Sequence, residues 1–255
     1  MNFIRKRVLA GEFMCGAWCN LASSITVEMA SQLGYDWILL DQEHGPGDNL
    51  TLLHQIQAAD AGGSAGVIVR IAWNEMPRFK RVLDLGAAGV MVPYVQTEEE
   101  ARYAVDSLRY TPQGMRGAAG TPRAAGYGRG FAEYYAQANQ NLLTVVQIET
   151  QKALDNLEAI AAVDGVDVLF VGPLDLSISL NLPGRFEDKD YCRALEQVAQ
   201  AAKQAGKAAG ILLPSTKEIP LLAEMGYTFI AVNSDGGIVI SGMAHNLEAL
   251  SRFKG

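Results

Sequence analysis

Eight apolar runs of strand length, each followed by a stretch patterned as a helix, recur along the chain. They are "MCGAWCN" (14–20), "WILLD" (37–41), "GVIVRI" (66–71), "GVMVPYV" (89–95), "LTVVQIE" (143–149), "VDVLFVG" (166–172), "AAGILLP" (208–214) and "FIAVNS" (229–234). Near-continuous apolar runs are what parallel strands require when helices cover them. The intervening segments, such as "TEEEARYAVDSLRY" and "DYCRALEQVAQAAKQAG", are amphipathic. Several close on a glycine just before the next strand, as in "SQLGYDW", "DLGAAGVMV", "QAGKAAGILL" and "EMGYTFI", where helices commonly end in a left-handed residue. Eight alternations in 255 residues predict one α/β domain over 1–255, a (β/α)8 barrel. The alternative, a doubly wound open sheet, calls for a glycine-rich phosphate turn after the first strand. "CNLASS" has no glycine there.

Composition narrows the function classes. A net charge of −7 with no long basic cluster argues against nucleic acid as a partner. No run of about 18 apolar residues predicts a membrane span, and "MNFIRKRVLAGEF" reads as a short amphipathic helix rather than a signal peptide. The three cysteines, Cys15, Cys19 and Cys192, fit a reducing cytoplasm better than a disulfide framework. Cys15 and Cys19 share a strand and are expected as small core side chains, since no further soft ligand has matching spacing. The segment 111–141 interrupts the rhythm as an unusually long connection. Its Arg116 and Arg123 are candidates for an anionic ligand or a neighbouring subunit, or else lie on a solvated loop; Arg129 is expected to be solvated.

In a barrel of this kind the active site lies at the C-terminal ends of the strands. The strand bodies are apolar, yet their ends carry Asp41, Glu43 and His44, then Arg70, then Gln147 and Glu149, then Gly172, Pro173 and Asp175. Gln147 and Glu149 are two apart on one strand and so point to the same side. A buried carboxylate is costly unless paired. Glu149 and Asp175, on consecutive strand ends, can converge on a hard cation such as Mg²⁺ or Mn²⁺; alternatively Glu149 caps the helix after it. Asp41, three residues before His44, is placed to orient its imidazole. Arg70 needs an anion, either a substrate carboxylate or a protein acid such as Glu43. His54 and His245 fall on helical patterns and are expected to be structural or exposed. "NSDGG" after the last strand is a weak candidate for binding an anion on backbone N–H groups.

Taken together, "YDWILLDQEH", "VIVRIAWNE", "GAAGVMVPYVQTEEEA", "RYTPQGMRG", "VVQIET" and "VGPLDLS" resemble segments of the HpcH/HpaI aldolase family, in family order and over nearly the whole chain. The resemblance implies a barrel of the phosphoenolpyruvate/pyruvate type with its C-terminal helix exchanged between subunits, and dimers assembled into hexamers as trimers of dimers. It implies a class II aldolase, dependent on Mg²⁺, Mn²⁺ or Co²⁺, that splits a 4-hydroxy-2-oxo acid of diacid or sugar-acid type into pyruvate and an aldehyde. In that family Glu149 and Asp175 correspond to the metal ligands, Arg70 to the group steadying the pyruvate enolate, and His44 with Asp41 to the acid–base pair. Gln147 and the backbone after Gly172, around Pro173 and Leu174, would hold pyruvate, and Leu212 would line the aldehyde side. Many relatives carry "GPADLS" where this chain has "GPLDLS", so Leu174 puts the aldehyde partner in question. No lysine stands at a strand end, which argues against Schiff-base chemistry. Two rival functions are a citrate-lyase-β-like lyase of acyl-CoA thioesters and a metal barrel that binds 2-oxo acids without turnover.

Overall fold

The computed structural model describes residues 1–254. Its strands are β1 (Met14–Cys19), β2 (Trp37–Asp41), β3 (Gly66–Arg70), β4 (Gly89–Val92), β5 (Leu143–Ile148), β6 (Val168–Val171), β7 (Ala208–Leu213) and β8 (Tyr227–Ser234). They pair in parallel in chain order, and β8 pairs with β1 to close an eight-stranded barrel. The amphipathic segments form the outer ring, including Ser24–Gln32, Asn49–Gly62, Met76–Leu85, Glu98–Leu108, Lys189–Gln204 and Ile219–Met225. Gly86 and Gly226 end their helices in left-handed conformations, a geometry that costs any residue with a Cβ. Among the described residues no helix is long and apolar enough to cross a membrane.

Two apolar clusters hold the fold. The larger lies between sheet and helices. The smaller fills the barrel and is built from one side of each strand, such as Trp37 and Leu39 of β2, Ile68 of β3, Met91 of β4, Phe170 of β6 and Phe229 of β8. Trp37 stacks on Phe229 with ring centroids 4.0 Å apart and meets Phe170 edge-on. The short helix Arg5–Leu9 closes the N-terminal end of the barrel with Ile4 and Val8, and Arg5 pairs there with the buried Asp167. Interior volume is balanced by glycine: a Cβ on Gly16 would lie 2.1 Å from the Trp37 ring, and one on Gly210 2.6 Å from Phe170. Large and small side chains thus alternate around the interior, as a closed barrel demands.

Three expectations are corrected. The long connection is not one loop: it carries a 3-10 segment, Arg123–Gly128, and a helix, Phe131–Asn141. Its arginines are used internally. Arg116 is buried, donates to Asp84 and Tyr134 and stacks 4.4 Å above Tyr110; Arg123 donates to Asp60 and to the Leu85 carbonyl. Arg129 is exposed. Cys19 is buried as expected, but Cys15 is exposed, because it lies on the outer side of β1 where the helix layer leaves it uncovered. His54 and His245 sit exposed on helices.

Because Gly16 makes room for the Trp37 ring, Gly16→Ala is expected to cost about 1–3 kcal/mol of stability through overpacking, measured by urea denaturation. Gly120→Ala, where open space surrounds the added methyl and the backbone is not left-handed, serves as the comparison without a clash.

Candidate active site at the C-terminal end of the barrel

The inward side of each strand continues upward past the aromatic layer, and there it turns polar. Trp37, Leu39 and Asp41 share that side on β2, Ile68 and Arg70 on β3, and Val145, Gln147 and Glu149 on β5 and its extension. The register aligns Asp41 with Arg70 on adjacent strands. Arg70 is buried, and it donates through Nε to Asp41 Oδ1 (3.0 Å) and through Nη2 to Asp41 Oδ2 (2.5 Å). Its Nη1 lies 2.9 Å from Glu43 Oε2. Below them Trp18 forms the floor: its indole N–H points at Asp41 Oδ2 (3.4 Å), and the guanidinium sits 4.7 Å above its ring.

The two readings of Arg70 are therefore not exclusive. The guanidinium is paired with protein acids, yet three of its five N–H groups account for those contacts, leaving two that no protein acid engages. Burial works to raise the Asp41 pKa, but the hydrogen bonds and charge of Arg70 outweigh it and hold Asp41 below the usual carboxylate range.

The expected Asp41–His44 ring contact is replaced by a backbone contact. Asp41 Oδ1 accepts from the amides of Glu43 (3.0 Å) and His44 (3.2 Å). The His44 side chain is 66% exposed, and its Nε2 stands 3.8 Å from Glu43 Oε2. Asp41 shapes the turn that carries His44; its carboxylate is already committed to Arg70. Glu43, the protein acid that the sequence offered as a partner for Arg70, does pair with it and lies between Arg70 and His44. Burial pushes its carboxyl pKa up, assisted by the negative charge of Asp41 and Asp175 and opposed by Arg70.

Glu149 is 4% exposed. Oε1 accepts the backbone N–H of Tyr94 (2.6 Å), and Oε2 accepts Nε2 of Gln147 (3.0 Å). It does not cap the following helix, a task done by Thr150, whose hydroxyl accepts from the Ala153 amide. Burial, then the charges of Glu43 and Asp175, push Glu149 up to about 7 against the pull of the Tyr94 amide. Gly172 ends the inward row of β6, and a Cβ there would lie 2.3 Å from Glu149 Oε2, so only glycine allows the backbone this close to the carboxylate. Asp175 is exposed in the first turn of the helix Pro173–Ser179, which Pro173 opens. Leu174 beside it is 55% exposed, and Leu212 is half-buried on the inward side of β7.

Four carboxylates, Asp41, Glu43, Glu149 and Asp175, thus act on one another around the charge of Arg70. Their excess of negative charge, the orphaned Gln147 Oε1 and the side-chain-free approach of Gly172 suit a hard divalent cation with oxygen ligands. Glu149 and Asp175 are the two that the sequence reading assigns to such a cation. Among the described residues no group of three or more His, Cys, Asp or Glu side chains forms a ready-made metal cage, so water and substrate oxygens would complete the shell. The "NSDGG" turn is not an anion site, because its amides are taken: Gly237 N–H donates to Ser234 Oγ and Gly236 N–H to Asp235. A cavity of about 960 Å³ lies between the helices Lys189–Gln204 and Ile219–Met225; it meets the site only at Pro173 and Leu212, and none of the four carboxylates lines it.

The family model described as HpcH/HpaI aldolase/citrate lyase matches residues 14–242. The chain belongs to that family. A 5-keto-4-deoxy-D-glucarate aldolase of Klebsiella pneumoniae is 41% identical over 237 residues, covering 93% of this chain and 92% of that protein. The same-named aldolase of Salmonella paratyphi C is 42% identical over 236 residues, covering 92% of this chain and 91% of that protein. The crystal structure of an HpcH/HpaI aldolase/citrate lyase family protein from Burkholderia cenocepacia superposes with a TM-score of 0.92 at 35% identity, covering 97% of this chain and 98% of that one.

The Glu149 carboxyl has a measurable consequence in the metal-free HpcH/HpaI chain. Its folded pKa of about 7 exceeds its ordinary value of 4.5, so the folded state holds the proton more tightly than the unfolded chain. The penalty for ionising it is absent below about pH 4.5, grows as pH rises, and is complete above about 7, reaching roughly 3 kcal/mol. In chelator-treated protein, Glu149→Gln is expected to gain stability over wild type as pH increases from 5 to 8, followed by urea denaturation. Equal pH slopes for the two proteins would refute the assignment.

Proposed function

We propose that this chain is a divalent-metal-dependent class II aldolase that cleaves a keto-deoxy sugar diacid, of the kind named for its Klebsiella and Salmonella relatives, into pyruvate and an aldehyde acid. The observation that carries the reading is the buried Glu149, set with Asp175 and Glu43 beside Arg70 at the open end of the barrel. A cluster so rich in acids would repel a dianionic substrate unless a cation sat between them.

With the substrate numbered as a 4-hydroxy-2-oxo acid, from the carboxylate beside the keto group, the C3–C4 bond breaks in the retro-aldol step as the C4 hydroxyl gives up its proton; the bonding pair passes into the enolate of pyruvate, which then takes a proton at C3. When bound, Mg²⁺, Mn²⁺ or Co²⁺ would draw charge out of the 2-oxo group. Arg70 directs its remaining N–H groups at the developing enolate oxygen, held rigid by Asp41 and Trp18. His44, at the exposed rim, takes the hydroxyl proton directly or through a water. Gln147 and the backbone after Gly172 bind the pyruvate carboxylate, while Leu212 and Leu174 shape the aldehyde side.

The assembly reading rests on the last helix. Asp235–Ser251 buries none of its residues, and Ile238, Ile240, Met243, Leu247 and Leu250 are each more than half exposed. The barrel presents its own uncovered apolar groups at Ile25, Met29, Leu33 and Leu221. An apolar helix about 25 Å long and an apolar patch left bare in the same chain favour helix exchange within a dimer, and a hexamer built from such dimers.

Pyruvate release from 5-keto-4-deoxy-D-glucarate is expected to stop in chelator and return with Mg²⁺, Mn²⁺ or Co²⁺; full turnover in verified metal-free enzyme overturns the reading. Arg70→Ala is expected to keep metal affinity but lower kcat about 10²–10³-fold, as for a lost oxyanion donor. If KM alone rose, Arg70 would be a substrate clamp instead.

Light scattering at micromolar concentration is expected to give a hexamer for the full chain. Replacing Met243 and Leu247 together by Glu should yield smaller species. A full-length monomer contradicts helix exchange.

A further inference from the structure

Tyr94 follows β4 and Pro93 with φ +58°, a left-handed conformation that residues with a Cβ pay to adopt. In the same turn the Tyr94 amide donates to Glu149 Oε1 at 2.6 Å. Gln147 holds only the other oxygen, and Gly172 lies too close to Oε2 for any side chain to buttress it from that side. The Tyr94 ring lies at the surface. It is 45% exposed and stacks on Trp73, which is 50% exposed, with centroids 5.9 Å apart and planes 28° from parallel. Together they wall a cavity of about 330 Å³ with Asn74, Gln96, Glu99 and Tyr103. Two exposed rings joined across neighbouring loops add little to the core, yet their stack is seated on the very residue whose amide meets Glu149.

We infer that Tyr94 is a positioning residue, locked by its stack on Trp73 in a left-handed backbone that aims its amide at Glu149 and so sets the direction in which that carboxylate meets the metal. The inference rests on the metal reading of the site only for its last step; the Tyr94–Glu149 link itself does not. A side chain branched at Cβ resists the left-handed conformation, whereas glycine adopts it freely and keeps the N–H. The rank order of variants therefore differs from that of a merely structural residue, for which glycine, the most flexible, would be worst.

The experiment has two arms, both on the full chain. In the first, without metal, hydrogen exchange is followed at the Tyr94 amide. Protection is expected in wild type and in Tyr94→Gly, and at least tenfold faster exchange in Tyr94→Val and in Glu149→Ala. In the second, Mn²⁺ affinity is measured by calorimetry without substrate. Tyr94→Val is expected to lose at least tenfold, and Trp73→Ala and Tyr94→Gly, which both remove the stack but still permit the left-handed turn, about three- to fivefold. Exchange at Tyr94 indifferent to Glu149→Ala, or Tyr94→Gly losing as much Mn²⁺ affinity as Tyr94→Val, overturns the inference. If wild type takes up no Mn²⁺, the metal reading fails, and the exchange arm still decides whether Tyr94 holds Glu149.

Discussion

The paired Asp41 and Arg70 hold the upper end of this barrel together. Their alignment on β2 and β3 brings two opposite charges into a region that excludes water, and each is tolerable only because the other is there. From that pair the rest of the site follows. Asp41 reaches back to the amides that turn the chain toward His44, Arg70 reaches across to Glu43, and Trp18 seals both from the apolar interior. A rigid cation on one side leaves Glu149 and Asp175 on the other with no partner of comparable charge.

The aromatic layer below makes this division possible. Trp37, Phe170 and Phe229 fill the barrel interior, with glycines at Gly16 and Gly210 leaving the space their rings require. An interior packed this way is a solid floor, so the polar residues above it cannot sink or rearrange to satisfy one another. The cost appears at Glu149, whose carboxyl is pushed up to about 7. The same desolvation that makes the carboxylate costly alone would strengthen its hold on a cation placed beside it, since little water competes for its charge.

Much of this was legible along the chain. Alternation placed Gln147 and Glu149 on one side of a strand that was otherwise apolar, and the inward rows Trp37–Leu39–Asp41 and Ile68–Arg70 obey the same period. Three features were not. The competition for Asp41 was decided by Arg70, 29 residues away, not by His44 three residues away, because strand register outranks local spacing. Arg116 and Arg123 found Asp84 and Asp60, acids on helices that precede the long connection. The Tyr94 amide carries no signal in residue type at all, since every residue but proline has one.

The order of the eight strands, the side of each strand that faces inward and the apolar character of the last helix were determined by the sequence alone. They depend on periodicity and local backbone preference, which act between near neighbours. Which acid meets Arg70, which amide meets Glu149, and how close Gly172 comes to that carboxylate were decided only when the sheet closed. Closure sets strands that are distant in sequence in one register around one axis, and charges buried in a small volume take whichever partner that register brings within hydrogen-bonding reach.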